Sequence, residues 1–234
     1  MSQRPSRPSA PRPAALRPRA NAGLRPSQAM RLPMRIWDLP TRLFALAVVL
    51  FTIAAFASLQ PGAAAWHRAA GDAVLALLLF RLVWGFVGSD TARFAAILRG
   101  PASAAREMPQ LRGREPDNIV GHSAVGGWWL LVLLALLAAV VVTGIAPHIG
   151  RTAPSWVAAW HARCADALAA AFVLEAAVVL AASLLTGRAL LRPVLTGKKR
   201  LPAATRAPRL ASPFLAAAIF VVVAAAVAAF ALRG

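Results

Sequence analysis

At 234 residues, 59% hydrophobic and only 15% charged, the chain has too little polar surface for a soluble domain of its size. Its apolar residues fall in blocks about twenty long that run continuously instead of alternating, which calls for membrane-spanning helices and excludes a transmembrane β-barrel. The formal charge of +18 would suit nucleic acid, but the cations gather in the tail and two connecting segments, tyrosine is absent, and the aromatic residues lie in or beside apolar blocks; no base-stacking platform is visible and no nucleic-acid partner is expected.

Residues 1–33 are rich in Pro, Arg, Ser and Ala without an apolar run, so they are expected to be disordered. They lack the apolar stretch and cleavage site of a secretory signal. Met30 and Met34 are candidate starts that would make the tail an upstream over-read. A first span is expected over residues 42–59, opened by Asp38-Leu39-Pro40-Thr41. Gln60-Pro61-Gly62 turns the chain into a second span, 66–87, which Gly88-Ser89-Asp90 closes. A basic segment, 89–121, leads to a third span over 122–146 that ends near Pro147. The fourth span covers 155–185, a basic stretch follows, and an apolar run over 213–232 makes a fifth. The tail and the 89–121 and 186–212 segments are basic, whereas the 60–65 and 147–154 turns carry only Arg151. The positive-inside rule therefore puts the N-terminus in the cytoplasm and the C-terminus outside. Cys164 is the single cysteine, so no intrachain disulfide can form, and it reads as a small packing residue.

Four histidines are the candidate ligating groups. His148 follows Pro147 in an exterior turn and reads as a solvated loop residue. His122 lies at the cytoplasmic mouth of the third span, either touching a ligand or resting in the interface. His67 and His161 each follow a tryptophan, as Trp66-His67 and Trp160-His161, near the exterior ends of two helices that run inward. Tryptophan favours the membrane interface, so both imidazoles should lie just beneath it at similar depth. Two such imidazoles can ligate one haem iron from opposite faces, with Gly71 leaving room for a flat macrocycle. The alternative is two interfacial side chains bonded to water.

The order of local signatures resembles the bacterial cytochrome b561 and nickel–iron-hydrogenase b-type cytochrome family. The matching segments are Trp37-Asp38-Leu39-Pro40-Thr41-Arg42-Leu43-Phe44, His67-x-x-x-Gly71 and Arg81-Leu82-Val83-Trp84-Gly85-Phe86-Val87-Gly88-Ser89. Further on come Arg99-Gly100-Pro101, Gly121-His122 with Gly126-Gly127, and Leu195-Thr196-Gly197-Lys198-Lys199-Arg200. The resemblance spans residues 35–200. It implies an all-α membrane protein, a four-helix haem-binding bundle at 34–200, with residues 201–234 adding a linker and a fifth transmembrane helix. It also implies a multi-pass protein of the bacterial inner membrane.

Members of this family usually hold two haems, one near each surface. The resemblance gives the outer haem to His67 and His161; Gly71 beside it, Arg81 deeper in the second span and His122 at the mouth of the third are further candidate cofactor contacts. The positions that would ligate the inner haem hold Ala45 and Glu175. Both losses fall on one haem, so a single haem b near the periplasmic face is expected, with His67 and His161 binding its iron. The protein would then be a one-electron carrier of a respiratory-type chain, not an enzyme. Its partners would be membrane lipid and a quinone or periplasmic redox protein, and it would stand as a homodimer or as a subunit of a membrane complex. A haem-free membrane anchor or assembly subunit is the alternative. Arg81 and Glu175 each lie fourteen residues beyond a histidine on helices of the same direction, hence at equal depth, and an ion pair between them is expected.

Overall fold

The structure, a computed structural model, describes residues 30–113, 117–149 and 154–233. Strand β1 (Arg31–Arg35) leads into α1 (Leu39–Ala57). Asp38 caps this helix, its carboxylate accepting the Thr41 amide at 2.7 Å, while Pro40 occupies a first-turn position where no amide is needed. A tight turn gives α2 (Ala64–Val87), followed by two short helices, α3 (Phe94–Ile97) and α4 (Pro101–Leu111). Then come α5 (Ala124–Ile149), α6 (Ser155–Thr186), α7 (Leu191–Thr196), strand β2 (Lys198–Pro202) and α8 (Pro213–Ala231).

Five of these helices, α1, α2, α5, α6 and α8, are long and apolar enough to cross a membrane, in agreement with the hydropathy pattern. The chain is a multi-pass, all-α membrane bundle. Its outward surface carries Leu50, Ile53, Val142, Val178 and Val222, all well exposed, as befits a protein whose solvent at that surface is lipid. Helix α1 packs on α2 and α5 on α6, the two pairs meet where α2 touches α5, and α8 lies mainly along α2. Their shared core includes Phe44, Val74, Leu77, Trp84, Leu137 and Leu168. The fifth span is thus part of the packed bundle: Phe220 meets Phe80 edge-on at 5.9 Å. The segment before it is stitched to the end of α2, with Arg209 N donating to Asp90 and Ala211 N to Ser89 Oγ.

Three features depart from the sequence reading. Residues 31–33, inside the stretch expected to be disordered, belong to β1, which pairs antiparallel with β2 in the register Arg31↔Pro202 to Arg35↔Lys198. A two-stranded ribbon is marginal alone. Here Arg31 donates to Asn118 Oδ1 and Asp117 O, and Lys199 pairs with Asp117 at 2.6 Å. Gly197 turns the chain into this ribbon with φ +73°, close enough to Trp37 O that a Cβ would lie 2.8 Å from it. Residues 1–29 lie outside the described part. The 89–121 segment, read as a basic connection, holds α3 and α4. Glu107 of α4 accepts both Arg99 Nη1 at 2.9 Å and the first amide of α5, Ala124 N, at 2.6 Å. Finally, α5 continues through Pro147 to Ile149, so the backbone of His148 is helical and not a turn. A proline removes one helical hydrogen bond, which a long apolar helix tolerates near its end.

Candidate functional site

One end of the bundle is built around two imidazoles. His67 stands in the first turn of α2 and His161 in the second turn of α6. Their ring centres are 6.2 Å apart with planes at 80°. Each ring has its Nδ1 tied to a neighbouring helix: His67 to Ala55 O of α1 at 2.9 Å, His161 to Val140 O of α5 at 3.0 Å. A carbonyl only accepts, so both Nδ1 atoms carry a proton, and in the neutral ring Nε2 is the nitrogen that holds the lone pair. Between the rings and the four helices lies a cavity of about 480 Å³, lined by Thr52, Phe56, Gly71, Leu137 and Leu168 among others. Nothing lies within 4 Å of where a Cβ would stand on Gly71, so that position leaves open space, as its spacing from His67 suggested.

Three residues of this site escaped the sequence reading. Ser58 and Thr143 place hydroxyls 3.5 and 3.2 Å from the two Nδ1 atoms. Gly144 lets the His161 ring approach, since a Cβ there would lie 3.0 Å from Cε1. Small residues in an Ala/Val-rich span give no local signal of such a role. Asp72 and Asp166, each five residues beyond its histidine, also line the cavity.

Arg81 and His122 do not reach this cavity; they sit together at the ribbon end. Arg81 is 1% exposed, lies between the rings of Phe44 and Phe94 at 5.9 and 5.2 Å, and finds no hydrogen-bond partner for Nη1 or Nη2 among the described residues. Asp38 is the acidic group that stabilises it through space. Asp38, itself 2% exposed, also accepts Trp84 Nε1 at 3.1 Å. His122 packs against Trp37, ring centres 4.4 Å apart. Burial, reinforced by the charges of Arg81 and Arg99, pushes its pKa down to about 4, so it is neutral at neutral pH.

The expected Arg81–Glu175 ion pair is absent: no salt bridge joins them among the described residues. Equal offsets along α2 and α6 gave equal depth. However, α6 packs mainly along α5, so equal depth on α2 and α6 is not contact.

Among the described residues, no group of three or more His, Cys, Asp or Glu side chains is arranged to hold a bare metal ion. Two facing imidazoles can supply only two ligands, and they suit a metal whose other ligands come from a cofactor. The spacing tests this. Two rings aimed at one metal, with metal–nitrogen bonds of about 2 Å and about 1.1 Å from each nitrogen to its ring centre, would stand about 6.3 Å apart, and the 6.2 Å found is compatible with that. A four-helix membrane bundle with an imidazole pair in one half has the build of a membrane cytochrome. The family model described as prokaryotic cytochrome b561 matches residues 36–197, and the chain belongs to that family. No curated protein and no solved structure matches it.

Proposed function

We propose that the protein is a membrane b-type cytochrome that carries single electrons through one haem, ligated by His67 and His161. The observation that carries this reading is the imidazole pair, spaced 6.2 Å apart across an apolar cavity with both Nδ1 atoms engaged by carbonyls. When bound, the haem supplies the reversible one-electron change at iron. The chain's residues do the rest. His67 and His161 would hold the haem iron through their Nε2 atoms. Ala55 and Val140 fix the rings' tautomers and directions. Phe56, Val74, Leu137 and Leu168 keep water out, and Gly71 gives the macrocycle space.

A single haem is favoured because Ala45 and Glu175 offer no imidazole in the other half. The basic residues support the orientation: Arg31, Arg188, Arg192, Lys198, Lys199 and Arg200 gather at the ribbon end, which the positive-inside rule assigns to the cytoplasm. The histidine pair then faces the periplasmic side of a bacterial inner membrane, and an odd number of spans puts the C-terminus there too. A periplasmic redox protein, or a quinone entering from the bilayer, completes the electron path. Optical spectra of the purified protein test the reading. Wild type should give a low-spin reduced b-type spectrum that His67→Ala and His161→Ala each abolish. A wild-type preparation without haem would make the protein a haem-free anchor instead.

A further inference from the structure

The two imidazoles meet the same small device on the antiparallel helix beside each. At His67, Nδ1 lies 2.9 Å from Ala55 O and 3.5 Å from the hydroxyl three residues on, Ser58 Oγ. At His161, Nδ1 lies 3.0 Å from Val140 O and 3.2 Å from the hydroxyl three residues on, Thr143 Oγ1. A residue and the one three further on share a helix face, so carbonyl and hydroxyl converge on one point.

Neither hydroxyl has its hydrogen to spare. Ser58 Oγ donates to Ala55 O at 2.8 Å, and Thr143 Oγ1 donates to Ala139 O at 2.6 Å with Val140 O at 3.0 Å. A hydroxyl whose hydrogen is held by its own helix presents only lone pairs elsewhere. What each turns to the imidazole is therefore an acceptor, and carbonyl and hydroxyl together demand a proton on Nδ1. We infer that Ser58 and Thr143 are positioning residues that lock both histidines as Nδ1–H tautomers and set the donor strength of Nε2 towards the cavity. The inference rests on the bis-histidine reading for its effect on haem, but its tautomer content stands on the protein alone.

The two sides are unequal. Thr143 Oγ1 stands within ordinary hydrogen-bond distance of its ring, and its shortest bond is to a carbonyl the ring does not use. Ser58 Oγ stands at the limit of contact and shares the very carbonyl that His67 uses. Removing an acceptor from Nδ1–H makes the imidazole a weaker base, which disfavours the ferric state. Removing Ser58 also frees Ala55 O for the ring, and the two effects oppose.

The experiment joins redox titration with NMR. In the haem-loaded protein, Thr143→Val should shift the ferric–ferrous equilibrium about threefold towards ferrous, a rise of about 30 mV at about 59 mV per decade. Thr143→Ser should restore the wild-type potential, and Ser58→Ala should move it by less than half as much. An unchanged potential in Thr143→Val, or a shift that Thr143→Ser does not reverse, overturns the inference. Nitrogen-15 spectra of histidine-labelled, full-length protein prepared without haem should show both His67 and His161 protonated at Nδ1. An Nε2-protonated form at either ring also overturns it. If wild type binds no haem, the proposed function fails, and the same spectra of Thr143→Val decide the inference: part of the His161 population should then protonate at Nε2, and a tautomer unchanged from wild type overturns it.

Discussion

Asp38 is where one substitution should cost the bundle most. Its buried carboxylate caps α1 through Thr41 N at 2.7 Å, takes Trp84 Nε1 at 3.1 Å and stabilises the enclosed Arg81 charge. Losing a cap costs about 1 kcal/mol. A buried indole N–H left without an acceptor costs about 1–3 kcal/mol, and a buried charge that loses its compensation adds to that. Asp38→Ala should therefore destabilise the protein by about 3–5 kcal/mol. Asp38→Asn keeps the cap but turns an amide N–H towards the indole, so it should fall between wild type and Asp38→Ala. Trp84→Phe removes the stranded donor. Combined with Asp38→Ala, it should cost about 1–2 kcal/mol less than the sum of the single changes. Reversible unfolding in mixed detergent micelles measures wild type and the four variants. A cost for Asp38→Ala below about 1 kcal/mol, or strict additivity with Trp84→Phe, would refute the reasoning.

Other outcomes follow from the same geometry. His122 has its folded pKa pushed down to about 4 from an ordinary 6.5. The unfolded chain therefore binds the extra proton between those values, and stability should fall as pH drops through that window, by at most about 3 kcal/mol. Thermal melting from pH 7 to pH 4 should show a slope that His122→Gln flattens. Glu107→Ala should cost about 2 kcal/mol by stranding Ala124 N and Arg99 together, and Glu107→Gln should cost less because it still caps α5; amide exchange at Ala124 reads the difference. Gly144→Ala, favourable for the helix itself, should leave the melting temperature at or above wild type while displacing His161. The sign would be lower haem content or an altered low-spin spectrum in a protein that remains folded.

The spans were legible because lipid imposes a length and a composition on each helix separately, and 213–232 announces α8 without reference to anything else. That His67 and His161 meet was legible too, since each follows a tryptophan near the start of a helix and the two helices run the same way. What tertiary contact decides was not. β1 carries Pro33 and two arginines among its five residues, and its partner strand lies more than 160 residues away in the chain, so no local alternation announces it. Pro147 reads as a stop, but the backbone of α5 carries on to Ile149. Arg81 and Glu175 show the limit most plainly. Helical rise gives depth from sequence alone, but which helices touch at that depth depends on the pairing of α5 with α6. Ser58, Thr143 and Gly144 stayed hidden because their significance lies in a ring presented by another helix.

Haem stoichiometry by pyridine haemochrome on the purified, full-length protein tests the central claim most directly. The account predicts about one b haem per chain, lost in both His67→Ala and His161→Ala and retained in Glu175→Gln. Two haems per chain, or a full complement that survives the loss of either histidine, would contradict it.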